Sequence, residues 1–191
     1  MKARFAWVLL WVVTVVLVAL GSYRTGWAVE GKVEDAGTRN APPPPEDKLE
    51  REGHYDEAIR VITKNHDRLP EADIDCQVGW VYLKRGKKEW ANRQRWAQQA
   101  VIYFDKAAGL ALNEPFVLEQ VMDGFNKAGD YTDEGCPDYE KAVHFGQTAI
   151  VLFQGTTVSP SGKVRRYPPQ LADDLRPQLA RIQQKIDAWC K

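Results

Sequence analysis

The sequence predicts an all-α chain of short helical hairpins closed by a C-terminal helix. Three observations carry that reading. Apolar residues recur at three- and four-residue spacing through most of the chain after Lys48. Three helix-ending glycines, Gly53, Gly86 and Gly129, stand 33 and 43 positions apart. The last stretch places Leu171, Leu175, Leu179, Ile182, Ile186 and Trp189 on one stripe, an amphipathic helix.

The N-terminal element differs from the rest. Lys2 and Arg4 precede an apolar run from Phe5 to Leu20, broken only by Thr14. A basic start followed by an apolar run is the pattern of a secretory signal. The run is long for a cleaved peptide and slightly short for a spanning helix. Ala19-Leu20-Gly21 and Gly26-Trp27-Ala28 both offer the small residues that cleavage needs. Residues 1–28 are therefore expected to be a signal peptide or a transmembrane anchor. Both options place the remainder outside the cytoplasm, because the N-terminal bases stay inside. The expected location is periplasmic or secreted, or anchored in the inner membrane with the domain outside. The chain has 26 basic and 26 acidic residues, so its charge does not point to nucleic acid. Cleavage after Ala28 would leave 23 basic residues against 26 acidic ones.

Residues 29–47 read as a linker, since Pro42-Pro43-Pro44-Pro45 favours a stiff extended spacer. Helical pattern begins near Lys48. Ala58, Ile59 and Ile62 share a face, and Pro70 ends the first hairpin. A second hairpin opens near Ala72, with Val78 and Tyr82 on one face, and turns at Gly86. A basic, Trp-rich insert spans Lys87 to Arg95. The partner helix follows from Trp96 to Leu112, with Ala100, Phe104 and Ala107 on one stripe. A third hairpin opens at Phe116, carries Leu118, Val121, Met122 and Phe125, and turns at Gly129-Asp130-Tyr131. Its second helix runs from Tyr139 to Phe153. Gln154 to Pro169 reads as a loop. Residues 154–191 thus hold this loop and the final helix, with Pro177 expected to kink or delay it.

Several of these residues match a repeat motif. Gly53-His54-Tyr55-Asp56-Glu57-Ala58 resembles the turn and second-helix start of a tetratricopeptide repeat (TPR). Val78-Gly79, Tyr82 and Gly86 resemble its first helix, and Ala100, Phe104 and Ala107 continue it. Leu118, Val121, Phe125, Gly129 and Tyr131 match again, with Ala142 and Ala149 following. Gly135-Cys136-Pro137-Asp138-Tyr139-Glu140-Lys141-Ala142 is similar to the longer-loop Sel-type relatives. The first glycine spacing matches the family's period of about 34 residues. The second is longer by about the length of the basic insert. The resemblance covers residues 48–153. It implies a short helical-hairpin solenoid of two and a half repeats, with residues 154–191 capping the open end. Two departures stand out: Gly146 occupies a position where a large aromatic is usual, and prolines replace most of the first hairpin's leading helix.

The resemblance also implies a ligand face, the concave one lined by the first helix of each hairpin. Matching positions there are Trp80, Leu83 and Lys84 from the second hairpin, and Phe116, Glu119, Asp123 and Lys127 from the third. The basic-and-Asn set that clamps a carboxylate terminus in some relatives is absent. The implied partner is a protein or peptide. The expected function is a non-enzymatic interaction module or scaffold in the cell envelope, and the alternative is a permanent structural subunit of an envelope complex.

Catalytic signals are weak. His54, His66 and His144 are scattered without metal-ligand spacing. No nucleophile elbow, phosphate loop or CxxC occurs, and no cofactor or metal is expected. Asp130, Thr132, Glu134, Gly135 and Asp138 imitate part of a calcium loop, but Lys141 stands where a bidentate Glu is needed. The cluster Lys87, Lys88, Arg93 and Arg95 with Trp90 and Trp96 either touches acidic groups or packs its rings inward and leaves its charges wet.

Three cysteines leave three possible pairs. In a stacked array the first helices run parallel, so the turns lie at one end. Cys76 starts a first helix, at the opposite end, whereas Cys136 lies in the third turn. A capping helix parallel to the first helices brings Cys190 to that same end. The expected pair is Cys136–Cys190, with Cys76 unpaired and buried, and three free thiols are the alternative.

Overall fold

The computed structural model describes residues 45–64, 69–158 and 164–190. The signal-or-anchor segment, most of the linker and His66 lie outside the described residues. Among the described residues the fold is all-α apart from one small β-hairpin. The helices are α1 (Pro45–Glu52), α2 (Tyr55–Lys64), α3 (Glu71–Lys88), α4 (Arg93–Leu110), α5 (Pro115–Gly129), α6 (Cys136–Gln154) and α7 (Pro169–Trp189). A single 3₁₀ turn, Trp90–Asn92, joins α3 to α4. Among these residues no helix is long and apolar enough to cross a membrane.

Local chemistry sets the ends. Pro45 opens α1, where its missing N–H costs nothing, and Glu46 and Asp47 complement the positive helix start. The helix thus begins inside the stretch expected to be linker, three residues ahead of Lys48. Gly53 ends it with φ 89°. The Gly53 amide donates to the Glu50 carbonyl, and the His54 amide to that of Leu49. This reversal needs the left-handed conformation that glycine adopts freely.

The second turn differs from expectation. Helix α3 does not break at Gly86 but runs on to Lys88. Gly86 instead makes room for the returning chain: a Cβ there would lie 3.3 Å from Trp96 Cβ. The reversal is held by Glu89, whose carboxylate accepts from Arg85 Nε at 2.9 Å and Trp96 Nε1 at 2.8 Å. Most of the expected insert is therefore helix and 3₁₀ turn. Trp96 is buried, while Trp90 is 62% exposed with Arg93 stacked 3.8 Å from its ring centre.

The stretch expected to be a loop after α6 is also partly regular. β1 (Thr156–Val158) pairs antiparallel with β2 (Val164–Arg166), Thr157 facing Arg165. Helix α7 runs unbroken past Pro177. Ala172 and Leu175 before the proline, and Ile182 after it, are all buried in the core. Packing on both sides holds the helix across the backbone bond that proline removes.

Helices α3 and α4 pack together, as do α5 and α6, and α7 lies on α6. Helix α3 also touches α5 directly. One core cluster spans α3 to α7. A second, with Tyr55, Ala58, Ile62, Ile74, Val78 and Val81, joins α2 to α3. The glycine at 146 has a clear packing reason. A Cβ there would lie 2.5 Å from Leu179 Cδ2 and 2.6 Å from Met122 Sδ, so α7 and α5 already fill the space an aromatic would need. The sulfurs of Cys136 and Cys190 are 2.10 Å apart, tying the start of α6 to the end of α7.

The ring of Phe104 on α4 is fully buried. It lies against Gly79 of α3 and Gly124 of α5, with Trp80 edge-on at 5.8 Å and Phe125 at 5.9 Å. A Cβ on Gly79 would fall 2.7 Å from the ring, and one on Gly124 closer still. Gly124→Ala should therefore destabilise the fold by about 1–3 kcal/mol through overpacking. The denaturation midpoint checks this, and an unchanged midpoint would show that the ring can move aside.

Candidate binding groove

Helices α1, α3 and α5 converge on a groove of about 530 Å³. Helix α1 contributes Glu46, Asp47 and Glu50, and α2 adds Ile62. Helix α3 contributes Gln77, Trp80 and Lys84, and α5 contributes Gln120 and Asp123. The spacing explains the convergence. Gln77, Trp80 and Lys84 recur at three and four on one face of α3, and Gln120 and Asp123 do the same on α5. Direct packing of α3 on α5, permitted by Gly79 and Gly124, brings the two faces together.

The seven residues expected to form a ligand face divide in the structure. Trp80, Lys84 and Asp123 line this groove together. Glu119, one turn before Asp123, senses both Asp123 and Asp174 of α7. Leu83 is 2% exposed and belongs to the core, so it offers a partner no surface. Phe116 packs instead against Phe153 at 5.1 Å and Tyr167 at 5.5 Å, beside the β-hairpin. Lys127 lies at the far end of α5, paired with Asp130 at 3.7 Å and over the Tyr131 ring at 5.3 Å.

Six groove residues were not anticipated as part of a ligand face: Glu46, Asp47, Glu50, Ile62, Gln77 and Gln120. The signal for the first two is in the sequence. A proline followed by two acids is a helix start, whatever prolines precede it.

The groove is mainly acidic. Glu50, 9% exposed, is held by Lys84 in a close ion pair. Burial pushes the Asp123 carboxyl above its ordinary value. Burial does the same to Glu119, and the neighbouring carboxylates of Asp123 and Asp174 push it further. Behind Gln120, the buried Cys76 thiol lies 3.6 Å from its Oε1. Burial pushes that thiol up to about 12, with Asp73 and Asp75 adding to the effect. It stays protonated and is a poor nucleophile at neutral pH.

The acidic residues near the third turn are engaged elsewhere. Asp130 accepts from Tyr139 Oη at 2.9 Å and from Lys185 Nζ at 2.6 Å. Lys141 pairs with Asp105 of α4 at 2.7 Å. Among the described residues no group of three His, Cys, Asp or Glu is placed to hold a metal ion.

The raised carboxyls have a stability consequence. The folded chain holds these protons more tightly than the unfolded chain does. Stability therefore falls as pH rises from the ordinary carboxylate range through the raised values. At pH 7 the ionised groups cost stability. Asp123→Asn should raise the melting temperature at pH 7, because the buried charge is removed. The gain should vanish in acid, where both forms are neutral. Melting curves at the two pH values check this, and equal gains at both would overturn the assignment.

No protein-family model matches this chain, and no curated protein matches it.

Proposed function

We propose that this chain is a non-enzymatic protein-interaction module of tetratricopeptide type. It is a short helical-hairpin solenoid, capped by α7 and acting in the cell envelope. In this reading α1, α3 and α5 are the first helices of successive hairpins, and α2, α4 and α6 the second. The observation that carries the proposal is the groove itself. One side chain large enough to anchor a partner, Trp80, is ringed by Lys84, Asp123 and the acids of α1. Aromatic anchors in grooves are the commonest strong points of protein interfaces. Carboxylates kept there at a cost in stability are better explained by a partner than by the fold. The partner would be an extended segment that sets an apolar side chain on Trp80 and basic side chains against Glu119 and Asp123.

A second reading, a permanent structural subunit, draws on a different surface. Leu110, Leu112 and Val151, near the ends of α4 and α6, are 53%, 70% and 66% exposed, and a permanent partner would bury them if they form one patch.

A pull-down from envelope fractions distinguishes the two. The groove reading expects partners that elute with salt. It also expects them to be lost from Asp123→Lys and from the Trp80→Ala, Lys84→Ala double variant, with thermal melting confirming that each variant folds. Loss of one good anchor costs about 2 kcal/mol or more, a thirtyfold or greater fall in affinity. A single stoichiometric complex indifferent to these changes would overturn the groove reading.

The envelope location is tested separately. A reporter active only outside the cytoplasm, fused after Lys191, should give signal. Signal from a cytoplasmic reporter alone would end that part of the proposal.

A further inference from the structure

A second and larger cavity, about 730 Å³, opens where the end of α3 meets the α1–α2 hairpin. Its described lining is mostly cationic: Arg51 from α1 and Lys84, Lys87 and Lys88 from α3, against Asp47 and Glu50. Glu50 is already neutralised by Lys84. Lys88 is steered inward by donating to the Arg51 carbonyl at 2.8 Å, which leaves its other two N–H bonds free for a further acceptor. The lysines gather because Lys84, Lys87 and Lys88 recur at three and four on one face of α3.

The wall of this cavity includes Tyr55, 5% exposed, whose hydroxyl is buried without a hydrogen-bond partner. Buried polar atoms are nearly always satisfied, so an orphan hydroxyl beside a cavity is a donor with an acceptor still to be found. Burial raises the Tyr55 pKa, so the hydroxyl remains a donor at neutral pH.

We propose that this cavity binds a phosphate group, with Lys87, Lys88 and Arg51 supplying the charge and the Tyr55 hydroxyl donating to a phosphate oxygen. Ammonium groups on flexible stems suit an anion with several equivalent oxygens. The lone uncompensated carboxylate among the described lining residues, Asp47, opposes the anion and sets an upper limit on affinity. The phosphate belongs either to a soluble phosphate compound or to a lipid headgroup. The site is independent of the peptide reading, and its test reads phosphate rather than protein capture.

The experiment uses the full chain. Inorganic phosphate is titrated by calorimetry. In parallel, the chain is co-sedimented with vesicles of phosphatidylcholine with and without phosphatidylglycerol, the latter as baseline for the apolar N-terminal run. Binding of inorganic phosphate identifies a soluble source. Extra sedimentation with phosphatidylglycerol alone identifies a headgroup. In whichever arm responds, Lys87→Gln with Lys88→Gln should weaken binding about tenfold or more, the loss of charged hydrogen bonds. Asp47→Asn should tighten it. Tyr55→Phe should weaken it several-fold while leaving the free protein as stable or more so, because the orphan hydroxyl is gone. No response in either arm, or unchanged binding by both the lysine and the Tyr55 variants, would overturn the proposal.

Discussion

The Phe104 ring fixes how closely α3 and α5 approach. It enters from α4 and is received by two glycines, one on each of those helices. A larger residue at either position would push the helices apart, and protein interiors do not absorb such volume. The direct contact between α3 and α5 therefore depends on one ring and two missing methyl groups. Every groove side chain from these helices inherits its place from that contact. Trp80 shows the coupling most directly, since it both packs against Phe104 and lines the groove.

The second organising feature is electrostatic and lies along one edge of α3. Lys84 separates two environments. On one side are Trp80, Asp123 and Glu46; on the other, Lys87, Lys88 and Arg51; Asp47 and Glu50 border both. Its ion pair with nearly buried Glu50 docks α1 onto α3 and neutralises a carboxylate that would otherwise be costly there. The same short α1 thus furnishes the acids of one cavity and the bounding wall of the other. Arg85, on the next face of α3, lies 3.9 Å from the Trp96 ring centre and pairs with Asp56 of α2 at 3.0 Å. It ties the first hairpin to the second from the opposite side.

At the other end of the fold, α7 is held by three kinds of interaction. Leu175 and Ile182 bury apolar surface on the main core. Lys185 bridges to Asn126 and Asp130 of α5. The Cys136–Cys190 bond closes the end. A crosslink of this span restricts the unfolded chain by about 3–4 kcal/mol in the loop-entropy account. Among the described helices only α7 contains an internal proline, and the redundancy of its attachments is consistent with that weakness.

Much of the helical plan was legible in the sequence because period and punctuation are local properties. The stripes through Ala58 and Ile62, through Ala100, Phe104 and Ala107, and through Leu118 to Phe125 are buried as their spacing requires. Placement of Cys136 and Cys190 at one end follows from alternating helix direction alone. The tertiary structure decided what depends on neighbours distant in the chain. Gly86 looks like a helix stop, yet it serves the return of Trp96, which local pattern does not reveal. Gly146 looks like a missing aromatic until Leu179 and Met122 are seen to occupy its space. Leu83 and Phe116 match a ligand face by position, but one is drawn into the core and the other toward Phe153 and Tyr167. The orphan hydroxyl of Tyr55 has no sequence signature at all. Satisfaction of a polar group is a property of everything around it, and only the folded chain determines what that is.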